Sequence, residues 1–146
     1  SKNNMLTIRY PKAIRPWQHV LGPLSGYITL CEHLWKRPEK FSEPWNFGPD
    51  NKSVKTVKDM ADLAVKIWGG SAGWLSSKEK HPHEATFLHL NSEKAKSILG
   101  WKPIWDFNKT VSETIQWYKT YYTKKENLLE FTLAQISEYE GDSVNG

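Results

Sequence analysis

Residues 13–27 read AIRPWQHVLGPLSGY and place Arg15, Trp17 and His19 immediately before an amphipathic run. The apolar residues of that run recur at helical spacing from His19 to about Lys36, which predicts a helix with one buried face. A helix entrance normally carries Ser, Asp or Asn, which supply one oxygen acceptor. A guanidinium, an indole and an imidazole instead suit an anion bound beside a flat ring. The stretch therefore predicts a binding site at the start of this helix.

Helices and short strands follow along the rest of the chain. Apolar spacing and helix stops predict helices at 57–68, about 92–99 and 108–122, with another after Leu128, and Pro38 is expected to end the first helix. Aromatic and β-branched runs predict short strands at 5–8, 43–48, 73–77 and 86–90. Strands this short do not make a self-sufficient sheet. The pattern indicates a small α/β unit, mostly helical, that covers a larger partner domain.

Composition limits the class of protein. The 146 residues fit one domain, and they include eight Trp, six Tyr and five Phe. The single cysteine, Cys31, excludes a disulfide framework and a cysteine-based zinc site, and its place on the apolar face of the first helix predicts burial in the core. No apolar run nears the ~20 residues that span a bilayer, and the first residues have no signal-peptide core. These features favour a cytoplasmic protein with no membrane partner.

Charge is unevenly distributed along the chain. Residues 1–125 carry 20 Lys and Arg against 11 Asp and Glu, a net charge of +9, and the five remaining acids follow Lys125. We therefore divide the chain into a ligand-binding body at 1–124 and an acidic C-terminal extension at 125–146, helical and then disordered. A basic body attracts nucleic acid or a phosphorylated small molecule. Because no RNA-recognition, KH or OB motif occurs, we expect the small molecule and no nucleic acid.

Motifs of catalysis, cofactor binding and metal binding are not supported. GGSAG at 69–73 follows a predicted helix, whereas a dinucleotide loop follows a strand and opens a helix. His81, His83 and Glu84 lack the i, i+4 spacing of a helical zinc site. Tyr121 and Lys125 have the spacing of a dehydrogenase pair, but no nucleotide loop precedes them. We predict that this chain has no catalytic residue, no cofactor site and no metal site.

Four motifs in order carry a family resemblance: AIRPWQHVLGPLSGY, WNFGP, HPHEATFLHLNSEKAKSILGWKPIWD and TIQWY. Together they resemble the C-terminal half of the extended short-chain dehydrogenase/reductases that act on nucleotide sugars. The forms RPWQHV at 15–20 and HPHEA at 81–85 resemble the 4,6-dehydratases of that family whose substrate is CDP-glucose. The resemblance covers residues 5 to about 122.

The resemblance implies a parent enzyme larger than this chain. Members of the family bind NAD, and carry their catalytic residues, in an N-terminal Rossmann domain that has no counterpart in these 146 residues. We therefore expect a truncated substrate-binding subdomain, inactive alone, with NAD and the missing Rossmann domain as partners in the parent. The parent is expected to be a cytoplasmic, homo-oligomeric lyase that converts CDP-glucose to CDP-4-keto-6-deoxyglucose for lipopolysaccharide O-antigen deoxysugars.

The resemblance and the residue chemistry together select the substrate-binding candidates. Arg15 corresponds to the diphosphate-contacting arginine of the family, and Lys55 precedes a helix whose free N–H groups favour anions. Trp17 lines the pocket or packs beneath the helix, while His19 binds ligand or caps the helix. His83 donates to the diphosphate, oriented by Glu84. The full set is Arg15, Trp17, Gln18, His19, Lys55, His83 and Glu84.

Two alternatives remain open at this point. One keeps the family and changes the substrate, giving an epimerase, a decarboxylase or another 4,6-dehydratase of UDP-, GDP- or dTDP-sugars. The other is a non-catalytic binding or scaffolding module derived from the same subdomain. In every case a subdomain without its partner domain is expected to expose an apolar face and to associate.

Overall fold

The computed structural model describes residues 5–79, 81–123 and 127–145. Five α-helices dominate this part of the chain: α1 (Leu21–Lys36), α2 (Pro38–Phe41), α3 (Val57–Trp68), α4 (Phe107–Thr123) and α5 (Leu128–Asn145). Four strands of three residues accompany them: β1 (Leu6–Ile8), β2 (Ile14–Pro16), β3 (Val54–Thr56) and β4 (Trp74–Ser76). A 3-10 turn spans Asn51–Ser53 and a π-helical turn spans Ala95–Leu99. The prediction of a mostly helical α/β unit with short strands is confirmed.

The strands form two separate pairs. β1 lies parallel to β4, with Leu6 opposite Trp74, and β2 lies antiparallel to β3, with Arg15 opposite Lys55. Paired residues of antiparallel strands project to the same face. The second pair therefore sets two cationic residues side by side at the entrance to α3.

Several predicted elements differ from those observed. Residues 43–48 form no strand, because they pair with no strand of the two described sheets, and Phe47 instead buries its ring in the core beneath α1. Residues 86–90 contribute one bridge only, between Phe87 and Ile14. α1 ends at Lys36, just before Pro38 as predicted, but Pro38 then begins the short helix α2, which was not predicted. A proline at the first helical position loses no hydrogen bond. β2 and β3 were not predicted, because three-residue strands carry too little alternation to be seen in sequence.

The hydrophobic core lies beneath α1. It consists of Phe41, Phe47, Ala95, Leu99 and Trp101. Trp101 donates its indole N–H to Ser25 Oγ of α1 at 3.0 Å, and its ring meets Phe47 edge to face at 5.1 Å. The Leu-Gly-Trp motif thus anchors the π-helical turn and the following loop against α1.

The apolar stripe of α1 faces outward, so the prediction that it is buried was wrong. Val20, Ile28 and Cys31 are exposed, and Trp35 retains 89% of its accessible surface. The residues of α1 that are buried are Gly22 and Gly26. α1 therefore meets the core through its glycines and through the half-buried Leu30 and Leu34. Most of its other large residues form an exposed apolar face, as expected of a subdomain without a partner.

The acidic C-terminal residues are helical and contact the rest of the protein. Tyr139 of α5 is buried, and Trp105 donates its indole N–H to Asp142 at 2.8 Å. Gln135 donates to the backbone carbonyl of Glu113 on α4 at 2.9 Å. The proposed boundary between residues 124 and 125 lies outside the described residues, as does Lys125, and stays a prediction. No helix in the described ranges has the length and apolar character needed to cross a membrane.

Candidate functional site

The β2–β3 pair brings together three of the predicted site residues. Arg15 lies opposite Lys55 in the strand register. Trp17 donates its indole N–H to the carbonyl of Lys55 at 3.0 Å, which ties the end of β2 to β3. The side chain of Lys55 itself is exposed. Trp17 thus has a structural role beside the two cations.

Arg15 is held by the loop that follows β4. Its Nη1 atom donates to the carbonyls of Ile14 at 2.8 Å and of Ala85 at 2.9 Å. Its Nη2 atom donates to the carboxylate of Glu84, and the two side chains form an ion pair. The loop is fastened by its backbone, since Ile14 N–H donates to the carbonyl of Thr86 at 2.8 Å. A fork fixed in this way presents its remaining donors in a defined direction.

Glu84 pairs with Arg15, so the prediction that it orients His83 was wrong. The reason is positional, because the loop runs along β2 and places Glu84 next to the guanidinium. His83 is exposed at the rim of the same loop. The structure groups Arg15, Trp17, Lys55 and Glu84 at one corner, which we call the Arg15 corner, and His83 directly precedes Glu84 in the chain.

Free N–H groups were expected at the start of α3, next to Lys55. In the structure its first three N–H groups already donate hydrogen bonds. The N–H of Val57 donates to the carbonyl of Ala13, and that of Lys58 donates to the carbonyl of Pro11, both at 2.9 Å. Thr56 and Asp59 form a capping box that uses the next N–H. An anion at the Arg15 corner is therefore bound by side chains, with no contribution from these three backbone donors.

Gln18 and His19 lie at the entrance to α1. Gln18 donates from Nε2 to the carbonyl of Phe47 at 2.8 Å, while its buried Oε1 atom has no hydrogen-bond partner within the described residues. His19 packs on Trp105 with the ring centroids 4.8 Å apart, and its Nδ1 accepts from the N–H of Leu21 at 3.4 Å. These contacts favour the capping interpretation of His19.

Burial controls the charge of His19. Desolvation lowers the pKa of His19 below its ordinary value of 6.5, and the nearby carboxylate of Glu113 offsets part of this effect. The imidazole is therefore neutral at pH 7 and contributes no charge to anion binding.

A cleft of about 370 Å³ opens beside Gln18 and His19. Its other walls come from α4 and α5, and include Trp117, Tyr118, Thr132 and Gln135. Sequence reasoning did not identify these residues as lining a cleft. The available signal was the TIQWY motif, because it places Trp117 and Tyr118 on the helix that packs against the acidic extension.

The glycine loop after α3 does not have the order of a dinucleotide loop, and the described residues hold no cluster of metal-ligating side chains. No three His, Cys, Asp or Glu side chains in 5–79, 81–123 and 127–145 are grouped to hold a metal ion. Gly69 and Gly70 have positive φ angles of 77° and 65°, but they connect the end of α3 to β4. A dinucleotide loop has the opposite order, strand before helix.

Comparison with known proteins gives matches over most of the chain. It is 44% identical over 137 residues to the CDP-glucose 4,6-dehydratase of Salmonella typhimurium, a match that covers 94% of this chain and 38% of that protein. It is 28% identical over 107 residues to a UDP-glucose 4-epimerase of Halalkalibacterium halodurans, covering 73% of this chain and 30% of the epimerase. No family model matches the chain. The predicted sequence resemblance is confirmed.

A solved structure shares the fold. The dTDP-glucose 4,6-dehydratase of Bacillus anthracis, determined in complex with NAD, superposes with a TM-score of 0.62 at 21% sequence identity. The superposition covers 87% of this chain and 37% of that one. The chain thus spans well under half the length of these relatives.

Proposed function

This chain is a relative of the CDP-glucose 4,6-dehydratases over nearly all of its residues, and on that premise we propose that it is the substrate-binding portion of such an enzyme. The parent converts CDP-glucose to CDP-4-keto-6-deoxyglucose, and this portion holds the nucleotide diphosphate. The 44% identity over 94% of the chain carries the proposal.

Arg15 is the proposed diphosphate ligand. Its guanidinium is a planar donor fork, which suits two phosphate oxygens at once. Two backbone carbonyls already hold Nη1 in place, so little side-chain entropy is lost when an anion binds. Lys55 lies opposite in the strand register and adds a second positive charge on the same face. His83, which directly precedes Glu84 in the chain, is proposed as a further donor.

Gln18 and His19 are proposed to act on the site through α1. Gln18 ties the entrance of α1 to the carbonyl of Phe47, and His19 caps the first turn. Trp17 ties β2 to β3. Together they hold Arg15 at a fixed position relative to α1. Such positioning of a substrate contributes several kcal/mol to lowering a reaction barrier.

The cofactor and the setting of the parent are part of the same proposal. NAD supplies the oxidation and reduction steps of a 4,6-dehydratase, and its binding is assigned to a Rossmann domain outside these residues. The parent is proposed to be a cytoplasmic homo-oligomer that supplies deoxysugars for lipopolysaccharide O-antigen. The chain alone is expected to be inactive, because it carries no predicted catalytic residue.

A second substrate class is favoured by the match to the UDP-glucose 4-epimerase. If the parent acts on a UDP-sugar, the Arg15 corner has the same task, since the diphosphate is common to both substrates. Assay of the full-length protein with CDP-, UDP-, GDP- and dTDP-glucose distinguishes these cases. Preferred turnover of CDP-glucose supports the first, and preferred turnover of a UDP-sugar supports the second.

Isothermal titration of the chain with CDP-glucose, CDP and dTDP-glucose at low salt tests the proposal. We expect the cytidine compounds to bind, and Arg15→Ala to weaken them about 10- to 100-fold, since each hydrogen bond to a charged group contributes about 1.5–3 kcal/mol. Arg37→Ala is the matched control, because Arg37 is an exposed arginine just beyond the far end of α1. Equal binding by the chain and its Arg15→Ala variant contradicts the proposal. Michaelis constants of both variants in the full-length protein provide the same comparison.

A further inference from the structure

The carboxylate of Glu84 forms an ion pair with the guanidinium of Arg15 in this structure. We propose that Glu84 is a built-in competitor, which covers the anion-binding edge of Arg15 until a phosphate group displaces it. The inference uses the proposed function only to identify the anion as the diphosphate of a nucleotide sugar.

The donor arrangement of Arg15 leaves one edge for an anion. A guanidinium can bind two oxygens through its Nη1/Nη2 edge or through its Nη2/Nε edge. Nη1 already donates to the carbonyls of Ile14 and Ala85, which uses both of its hydrogens. The Nη2/Nε edge is therefore the one that remains, and Glu84 accepts from Nη2 on that edge. A phosphate that binds there with two hydrogen bonds must replace Glu84.

Exposure indicates which partner moves. The side chain of Arg15 retains 17% of its accessible surface, whereas that of Glu84 retains 43%. Arg15 is held by hydrogen bonds to two backbone carbonyls. The Glu84 carboxylate, in contrast, is held by its ion pair with Arg15. Glu84 can therefore turn into solvent while Arg15 stays in place. The approaching phosphate also repels the carboxylate, since both are negative.

The loop backbone does not need to open for this exchange. Ile14 N–H donates to the carbonyl of Thr86 at 2.8 Å, and Leu88 N–H donates to the carbonyl of Ile14 at 3.2 Å. Both bonds lie on the C-terminal side of Glu84 and involve no atom of its side chain. The exchange is thus a side-chain event, and its effect on affinity is that of the ion pair alone.

Titration of Glu84→Gln with inorganic pyrophosphate and with CDP-glucose tests this inference. A partly exposed ion pair contributes at most about 1 kcal/mol, so we expect up to about fivefold tighter binding of both probes than to the unmodified chain. Glu79→Gln is the matched control, because Glu79 is an exposed acid nearer the start of the same loop and its removal changes the net charge equally. This control should bind both probes as the unmodified chain does.

The two probes separate this inference from the proposed function. Tighter pyrophosphate binding by Glu84→Gln, with no change in Glu79→Gln, supports competition. Equal or weaker pyrophosphate binding by Glu84→Gln overturns it, weaker binding indicating that Glu84 positions Arg15 for the anion. The absence of pyrophosphate binding in all variants overturns it too. If CDP-glucose binds no better than pyrophosphate in any variant, nucleotide-sugar recognition by this chain is contradicted while the competition result stands.

Discussion

Gly26 of α1 allows the closest approach between this helix and the core. A Cβ atom added at Gly26 would lie 2.7 Å from Cε1 and Cγ of the Phe47 ring, closer than real Cβ contacts come. The ring cannot retreat freely, because it meets Trp101 at 5.1 Å and Tyr27 at 5.5 Å, both edge to face. We therefore predict that Gly26→Ala destabilises the fold.

The expected change in the free energy of unfolding of Gly26→Ala is the balance of two opposing effects. Alanine stabilises a helix interior by up to about 1 kcal/mol relative to glycine. Overpacking of a filled core costs about 1–3 kcal/mol. We expect a net loss of roughly 1–2 kcal/mol in the free energy of unfolding. Displacement of Phe47 also shifts the carbonyl that accepts from Gln18, so the entrance of α1 is affected at the same time.

Urea unfolding of the unmodified protein and of three variants, Gly26→Ala and two controls, tests this prediction. Gly141→Ala is the control on α5, where an added Cβ meets nothing within 4 Å, and a gain of up to about 1 kcal/mol is expected. Gly22→Ala is a second control, on the same helix as Gly26. Its added Cβ would lie 3.4 Å from Gln18 Oε1, an ordinary van der Waals distance, so this substitution should be tolerated. A Gly26→Ala chain as stable as the unmodified protein would refute the packing argument.

Two further predictions concern α5 and the entrance of α1. Asp142→Ala leaves the Trp105 N–H without its acceptor and should cost about 1–2 kcal/mol in urea unfolding, whereas the exposed control Glu140→Ala should change stability by less than about 0.5 kcal/mol; equal effects contradict the role of Asp142. Because burial lowers the pKa of His19 below 6.5, the unfolded chain binds more protons between the two values, and stability should fall as the pH drops below 6.5. His19→Gln should flatten this dependence below pH 6.5, and an unchanged slope contradicts it.

Local elements were predictable because their signals lie within a few residues. α3 spans the predicted residues 57–68, since Thr56 and Asp59 cap its start and Gly69 ends it. The helical turn before Gly100 was likewise marked in the sequence by Asn91 and Gly100. In the structure Asn91 accepts from the N–H of Glu93, and Gly100 ends the turn in the left-handed conformation. Motif order was also sufficient to identify the family resemblance, and Arg15 as a candidate ligand.

The surroundings of those elements were decided by contacts between distant parts of the chain. The pattern of α1 identifies which of its residues are apolar, but it does not show that Phe47 packs against Gly26, where only a residue without a side chain leaves room for the ring. The pairing of Arg15 with Glu84 joins residues 69 positions apart. Sequence by itself thus determined the longer helices and the chemistry available at the site. Tertiary structure alone decided which partner each charged group meets, because strand pairing and packing set those distances.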